Sequence, residues 1–146
     1  MTRRTHNGRT ELRKAALKRL RDARALLRAG KDHARGAGYL GGYAVECKLK
    51  AIALEVYDCW HLDELARKWK VDDRQVYTHG LEAILRHLPV YRKFRASSIW
   101  ASDFASQVNQ WRVHWRYDPH DWSVGRAEAF LESVERVSNW LETNRS

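Results

Sequence analysis

The chain has 146 residues, 44% of them apolar or aromatic and 31% charged, with 8 Gly, 2 Pro and 2 Cys. That is enough for one domain with its own hydrophobic core, and it excludes a disordered chain, a collagen-like repeat and a small disulfide-held scaffold. The formal net charge is +9, and it is unevenly placed: residues 1–35 hold twelve Lys or Arg against three Asp or Glu, while the remaining 111 residues hold fifteen of each.

An excess so localised points to contact with a polyanion at one end of the molecule. The basic opening, MTRRTHNGRTELRK, leads into an Arg-studded helical pattern and not into the apolar core of a secretory signal. No apolar run approaches the roughly 18 residues needed to span a bilayer, so no membrane partner is expected. Cys47 and Cys59 lie twelve apart in no paired motif, which fits a reducing cytoplasm.

In chain order, residues 1–9 read as a basic tail and 10–143 as one helical domain. The first helix is amphipathic. Leu12, Ala16, Leu20, Ala23 and Leu27 share one face, and Arg13, Lys14, Arg21, Arg24 and Arg28 share the other, a cationic row that either binds nucleic-acid phosphates or is simply a solvated face of good helix formers. The apolar side has no Trp or Phe to anchor it in a lipid surface.

The second helix runs from about Asp32 to Asp58. It carries two apolar stripes on nearly opposite sides, one of Leu40, Ala44, Cys47, Ala51 and Leu54 and one of Val45, Leu49, Ile52 and Val56. A helix apolar on both sides is the central one of its domain. Gly36, Gly38, Gly41 and Gly42 weaken its first turns, which is tolerable if another backbone packs closely there or if the helix begins later. Between the stripes lies a polar seam holding Tyr39, Tyr43, Glu46, Lys50 and Tyr57. Glu46 and Lys50 are four apart, in the order that pairs, and a charged pair on a buried helix is either a structural ion pair or part of a site.

Beyond it come a short helix in HLDELARKW, a polar link, and a helix in HGLEAILRHL, preceded by Thr78 as its cap and stopped by Pro89. A helix from about Ser97 to Arg116 aligns Trp100, Phe104, Val108, Trp111 and Trp115. It ends in the turn RYDPHDWS, where Pro119 forces Asp118 out of helical geometry. Ser123 caps a last helix whose inward face is Ala127, Phe130, Leu131, Val134, Val137 and Leu141. The expected fold is all-α, a single up-and-down bundle of about five helices.

Three segments, GAGYLGGYAVECKLKA at 36–51, THGLEAIL at 78–85 and the W-x4-RYDP run from Trp111 to Pro119, together resemble the HEPN (higher eukaryotes and prokaryotes nucleotide-binding) domain family. The resemblance covers about residues 12–141. It implies a helical bundle, commonly a homodimer with the late turn near its interface. It also implies RNA or nucleotide binding, or metal-independent RNA cleavage, in toxin–antitoxin, phage-defence or RNA-processing settings, with an antitoxin as one possible protein partner.

In catalytic members of the family an Arg precedes a His by four to six intervening residues at the late turn, and a polar residue on the second helix lies nearby. The resemblance gives Glu46 the polar role and offers Arg116 and His120 for the pair, but only three residues separate these two, while Arg112 and His120 are separated by seven. Arg28 with His33 and Arg74 with His79 do match the spacing, away from the late turn; with 19 Arg and 7 His, about two to three such matches are expected by chance.

The broken spacing makes binding the main reading, through Lys50, Arg112 and the first-helix cations Arg13, Lys14, Arg21, Arg24 and Arg28. Cleavage is the alternative. In it His120 would move protons and Arg116 would stabilise phosphate charge, with Glu46 and Lys50 converging on them in one polar pocket. A third reading is a module whose basic helix docks an acidic protein. Cys59, His61 and Asp63 alternate but lack a second ligand pair. Neither a metal nor another cofactor is expected.

Overall fold

The structure is a computed structural model and describes residues 8–145, except for the side chains at 98, 99 and 116. Three long helices form the frame: α1 (Arg9–Arg28), α2 (Ala34–Val56) and α8 (Val124–Asn144). Five short ones lie between α2 and α8 in sequence: α3 (Leu62–Trp69), α4 (Asp73–Val76), α5 (Leu81–Leu85), α6 (Val90–Ala96) and α7 (Ser98–Ser106). Among the described residues there is no strand, only one isolated bridge between Gly8 and His61. The fold is all-α, with eight α-helices among the described residues where the sequence suggests about five.

Contacts between the long helices fix their directions. Arg13 meets Glu55 and Leu26 approaches Gly36, so α1 and α2 are an antiparallel hairpin. Gly41 meets Leu131 and Glu55 meets Arg145, so α8 runs parallel to α2. The turn between α1 and α2 passes through Gly30, whose φ of 111° suits glycine alone.

Helix α2 is the centre of the domain. Fifteen of its 23 residues are buried, including both apolar stripes except Leu40 and Val56, which are half-buried. Its glycines answer to rings as well as to aliphatic packing: a Cβ at Gly38 would collide with the indole of Trp122, and one at Gly42 with that of Trp111. The close neighbours are therefore side chains, from the late turn at Gly38 and Gly42, from α8 at Gly41 and from α1 at Gly36, and not another backbone.

Two expectations about the middle of the chain need correction. The stretch 97–116 is not one helix: α7 ends at Ser106, 3-10 turns follow at Val108–Gln110 and Val113–Tyr117, and Arg112 between them is extended. The aromatic residues of that stretch face different partners. Phe104 packs edge-on against Phe94, Trp100 lies beside Trp140, Trp111 reaches the Tyr39–Tyr43 pair and Trp115 meets Trp122 and Phe130. A straight helix would spread these rings over about 23 Å along one line. Pro89 likewise does more than end a helix, because its helical φ and ψ of −54° and −34° lead directly into α6.

The cap at Ser123 is as expected, accepting from the Arg126 amide at 3.1 Å. Thr78 instead accepts from the Gly80 amide at 3.0 Å, tightening the turn ahead of α5 while Gly80 takes the cap position. Gly8 and Arg9, assigned to the tail by sequence, are anchored: the Arg9 amide donates to the Trp60 carbonyl and its guanidinium lies 3.8 Å over the Trp60 ring. Residues 1–7 of that tail lie outside the described residues.

Candidate functional site

The polar seam of α2 supplies the most unusual charges in the molecule. Glu46 is only 3% exposed and Lys50 6%. Helical spacing brings the Lys50 ammonium to 3.3 Å from Glu46 Oε2. The other carboxylate oxygen, Oε1, is 2.7 Å from Nδ1 of His79, on the turn that Thr78 tightens. Burying a carboxylate is costly unless its lone pairs are filled by donors. Here one comes from its own helix and one from a turn thirty-three residues away.

The bond from Glu46 orients His79. With Nδ1–H facing the carboxylate, Nε2 is the imidazole nitrogen left to accept or release a proton. The side chain is 47% exposed, so the ring joins a buried charge pair to solvent. It opens into a cleft of about 380 Å³ whose walls include Thr78, Glu82, Asn109, Arg112 and His114. Trp111 forms the inner wall, its indole N–H donating to the Tyr39 carbonyl at 2.9 Å.

The charges lining this cleft are unequally satisfied. Glu82 is neutralised by Arg86 at 3.2 Å and accepts from Asn109 at 3.3 Å. The Arg112 guanidinium donates to the carbonyls of Asn109 and Trp111, at 2.6 and 2.8 Å, and has no carboxylate partner among the described residues. Its charge is fixed in position and uncompensated, as an anion-binding group requires.

The sequence-predicted residues divide sharply. Glu46 and Lys50 meet, and Arg112 lies in the cleft they support. His120 does not join them: it is 85% exposed, with Nδ1 2.7 Å from Asp118, whose carboxylate also accepts the His120 amide at 2.9 Å. This local Asp turn holds the ring two residues away, so of the expected pocket of Glu46, Lys50, Arg116 and His120 the structure brings Glu46 and Lys50 together with His79 and leaves His120 out, while the Arg116 side chain lies outside those described. Arg116 contributes its backbone to the 3-10 turn Val113–Tyr117.

Of the five α1 cations that the sequence places in one row, two pair with carboxylates on neighbouring helices. Arg13 makes a two-pronged contact with Glu55 at 2.7 and 2.8 Å and reaches Glu142 at 3.0 Å, tying three helices together. Those hydrogen bonds raise the Arg13 pKa, against a smaller opposing effect of burial, and hold the Glu55 carboxyl below its ordinary value. Arg24 pairs with Glu135 on α8. Lys14, Arg21 and Arg28 are exposed and have no carboxylate partner among the described residues.

Sequence reasoning missed His79 and His114. His79 was visible in THGLEAIL, but its pairing with Arg74 looked like chance, and the useful signal was elsewhere. A carboxylate on a buried helix with one Lys neighbour still has lone pairs to fill, and His79 stands just ahead of a later inward-facing helix, α5.

Cys47 and Cys59 are free and buried, and burial pushes the Cys47 thiol up to about 12, which makes it a poor nucleophile. No helix among the described residues is long and apolar enough to cross a membrane. No family model matches the chain, and neither a curated protein nor a solved structure matches it.

Proposed function

We propose that this chain is an HEPN-like RNA- or nucleotide-binding protein, with the His79 cleft as a seat for a phosphate and the outer face of α1 as a second electrostatic contact. The observation that carries this reading is Arg112, a cation held by two carbonyls, without a carboxylate, in the cleft lined by His79 and His114. Lys14, Arg21 and Arg28 extend the positive field along α1.

Anisotropy titrations with a fluorescein-labelled RNA at several salt concentrations test it. Affinity should fall as salt rises, with a log–log slope of about 0.7 per phosphate contacted on a single strand, and Arg112→Ala should weaken binding and lower that slope. Salt-independent or absent binding would overturn the reading and favour an acidic protein partner for α1. The family resemblance also carries a homodimer, which sedimentation at tens of micromolar would reveal.

One observation favours a second reading, metal-independent RNA cleavage: the 2.7 Å contact between Glu46 and His79. A carboxylate behind an imidazole stabilises the imidazolium that forms when the ring takes a proton, here the proton of an attacking 2′-hydroxyl. The proton-transfer role that the resemblance offers to His120 then belongs to His79. With a chelator present, RNA should be cut by the parent and by His120→Ala but not by His79→Ala; loss in His120→Ala alone would return the role to the late turn.

A further inference from the structure

The cleft at His79 has a neighbour. Thr78 and Ala83 line it and also line a second cleft, of about 360 Å³, whose other walls are Arg74, Gln75, Arg86 and His87. The two therefore adjoin along α5.

The second cleft contains a rigidly held ring. His87 stacks on Trp69 with ring centres 4.1 Å apart and planes 13° from parallel, and Tyr57 packs edge-on against Trp69 at 5.6 Å. The Tyr57 hydroxyl donates to the His87 carbonyl, fixing the backbone beneath the ring. Trp69 backs His87, and His87 rather than Trp69 lines the cleft. An aromatic column that ends at an open cleft is a platform for one more flat ring.

Cations flank the platform. The side chains of Arg74 and Arg86 are 90% and 63% exposed, and their carboxylate partners, Asp72 and Glu82, are also well exposed. Ion pairs in water are weak, so a phosphate can compete for either guanidinium. The chemistry thus combines a stacking face with exchangeable cations, beside a cleft holding the uncompensated Arg112.

We propose that the two clefts form one track for single-stranded RNA: a base stacks on His87, its flanking phosphates lie against Arg74 and Arg86, and the chain continues into the His79 cleft. A duplex hides its base faces inside the stack and cannot use such a platform. The proposal rests on the RNA-binding reading and adds strand class and a base subsite to it.

The test uses the full chain and a fluorescein-labelled RNA of mixed sequence, alone or annealed to its complement. The parent should bind the single strand more tightly than the duplex. His87→Ala should weaken single-strand binding about tenfold, whereas His87→Phe, which keeps a flat ring on Trp69, should retain most of the affinity. Arg74→Ala with Arg86→Ala, at exposed positions that leave the core intact, should weaken binding and reduce its salt dependence; circular dichroism verifies folding of each variant. Equal affinity for duplex and single strand, or parental binding by the double Arg variant or by His87→Ala, would overturn the track while leaving RNA binding itself in place. Absence of salt-dependent binding to either RNA by the parent would overturn both.

Discussion

The outer face of α1 and the polar seam of α2 make opposite uses of charge. Five of the cations on α1 form one row, of which Arg13 and Arg24 are committed to carboxylates on neighbouring helices and Lys14, Arg21 and Arg28 face solvent. Helix α2 carries few charges on its seam, yet Glu46 and Lys50 are almost wholly buried and connect to an exposed imidazole. Charge density along a sequence thus says where a field is strong. Burial and partner number say where chemistry can be organised, because a low-dielectric surrounding makes each unmatched proton or lone pair expensive.

The comparison is broken most forcefully by Glu46→Ala. Removing the carboxylate leaves Lys50 buried without its partner and frees His79, and the loss should be about 3–5 kcal/mol in denaturant unfolding. Adding Lys50→Met should recover much of it, since an apolar chain of similar length does not need a counter-ion. A loss for Glu46→Ala no larger than that of an exposed ion pair, under about 1 kcal/mol, would show that the seam is solvated.

Gly42→Ala should come next. The added methyl group would fall within the indole of Trp111, which is buried and bonded to the Tyr39 carbonyl. Displacing that ring should cost about 1–3 kcal/mol and deform the inner wall of the His79 cleft, so RNA affinity should fall along with stability. Gly125→Ala, where a Cβ meets nothing, is the control and should stabilise α8 slightly.

The same rings explain how much the sequence discloses. The three long helices are legible because each keeps a 3.6-residue apolar period over many turns, and in α2 the doubled stripe announces burial on most sides. The 97–116 segment misleads because Trp100, Phe104, Val108, Trp111 and Trp115 fit that period, although tertiary packing sends Trp111 to the Gly42 notch and Trp115 to Trp122. Periodicity records that residues are inward-facing but not that they face the same inside. Glu46 and Lys50 were legible as a site for a related reason, being polar on an otherwise apolar helix. His79 was not, since its partner lies far away in sequence, and the alternative at His120 turns on Asp118, a local contact that spacing does not reveal.

Arg13→Ala sharpens the comparison on the α1 side. Losing a two-pronged charged contact at a partly exposed site should cost about 1–2 kcal/mol at neutral pH. Glu55 titrates lower in the folded protein than its usual 4.5, chiefly because of the Arg13 hydrogen bonds. Its contribution is therefore complete above that value and is lost as pH falls through the lower folded one. Unfolding measured from pH 6 down to pH 3 should show parent and variant converging in acid. A difference independent of pH would assign the loss to Arg13's packing rather than its charge.

The smallest effect on stability should come from the cations without partners. Lys14→Ala, Arg21→Ala and Arg28→Ala together should alter unfolding free energy by no more than about 0.5 kcal/mol, because these side chains lie on the solvated face of a helix held elsewhere by Arg13 and Arg24 and Ala is itself a good helix former. RNA binding should nevertheless weaken, and the log–log salt slope should shrink by about 0.7 for each phosphate contact removed. A full set of three contacts would lower it by about two. If stability holds and the slope also holds, the α1 face is not a phosphate surface and the cleft alone carries the RNA. If the slope falls while Arg112→Ala leaves binding untouched, the field on α1 is sufficient and the cleft is not the seat.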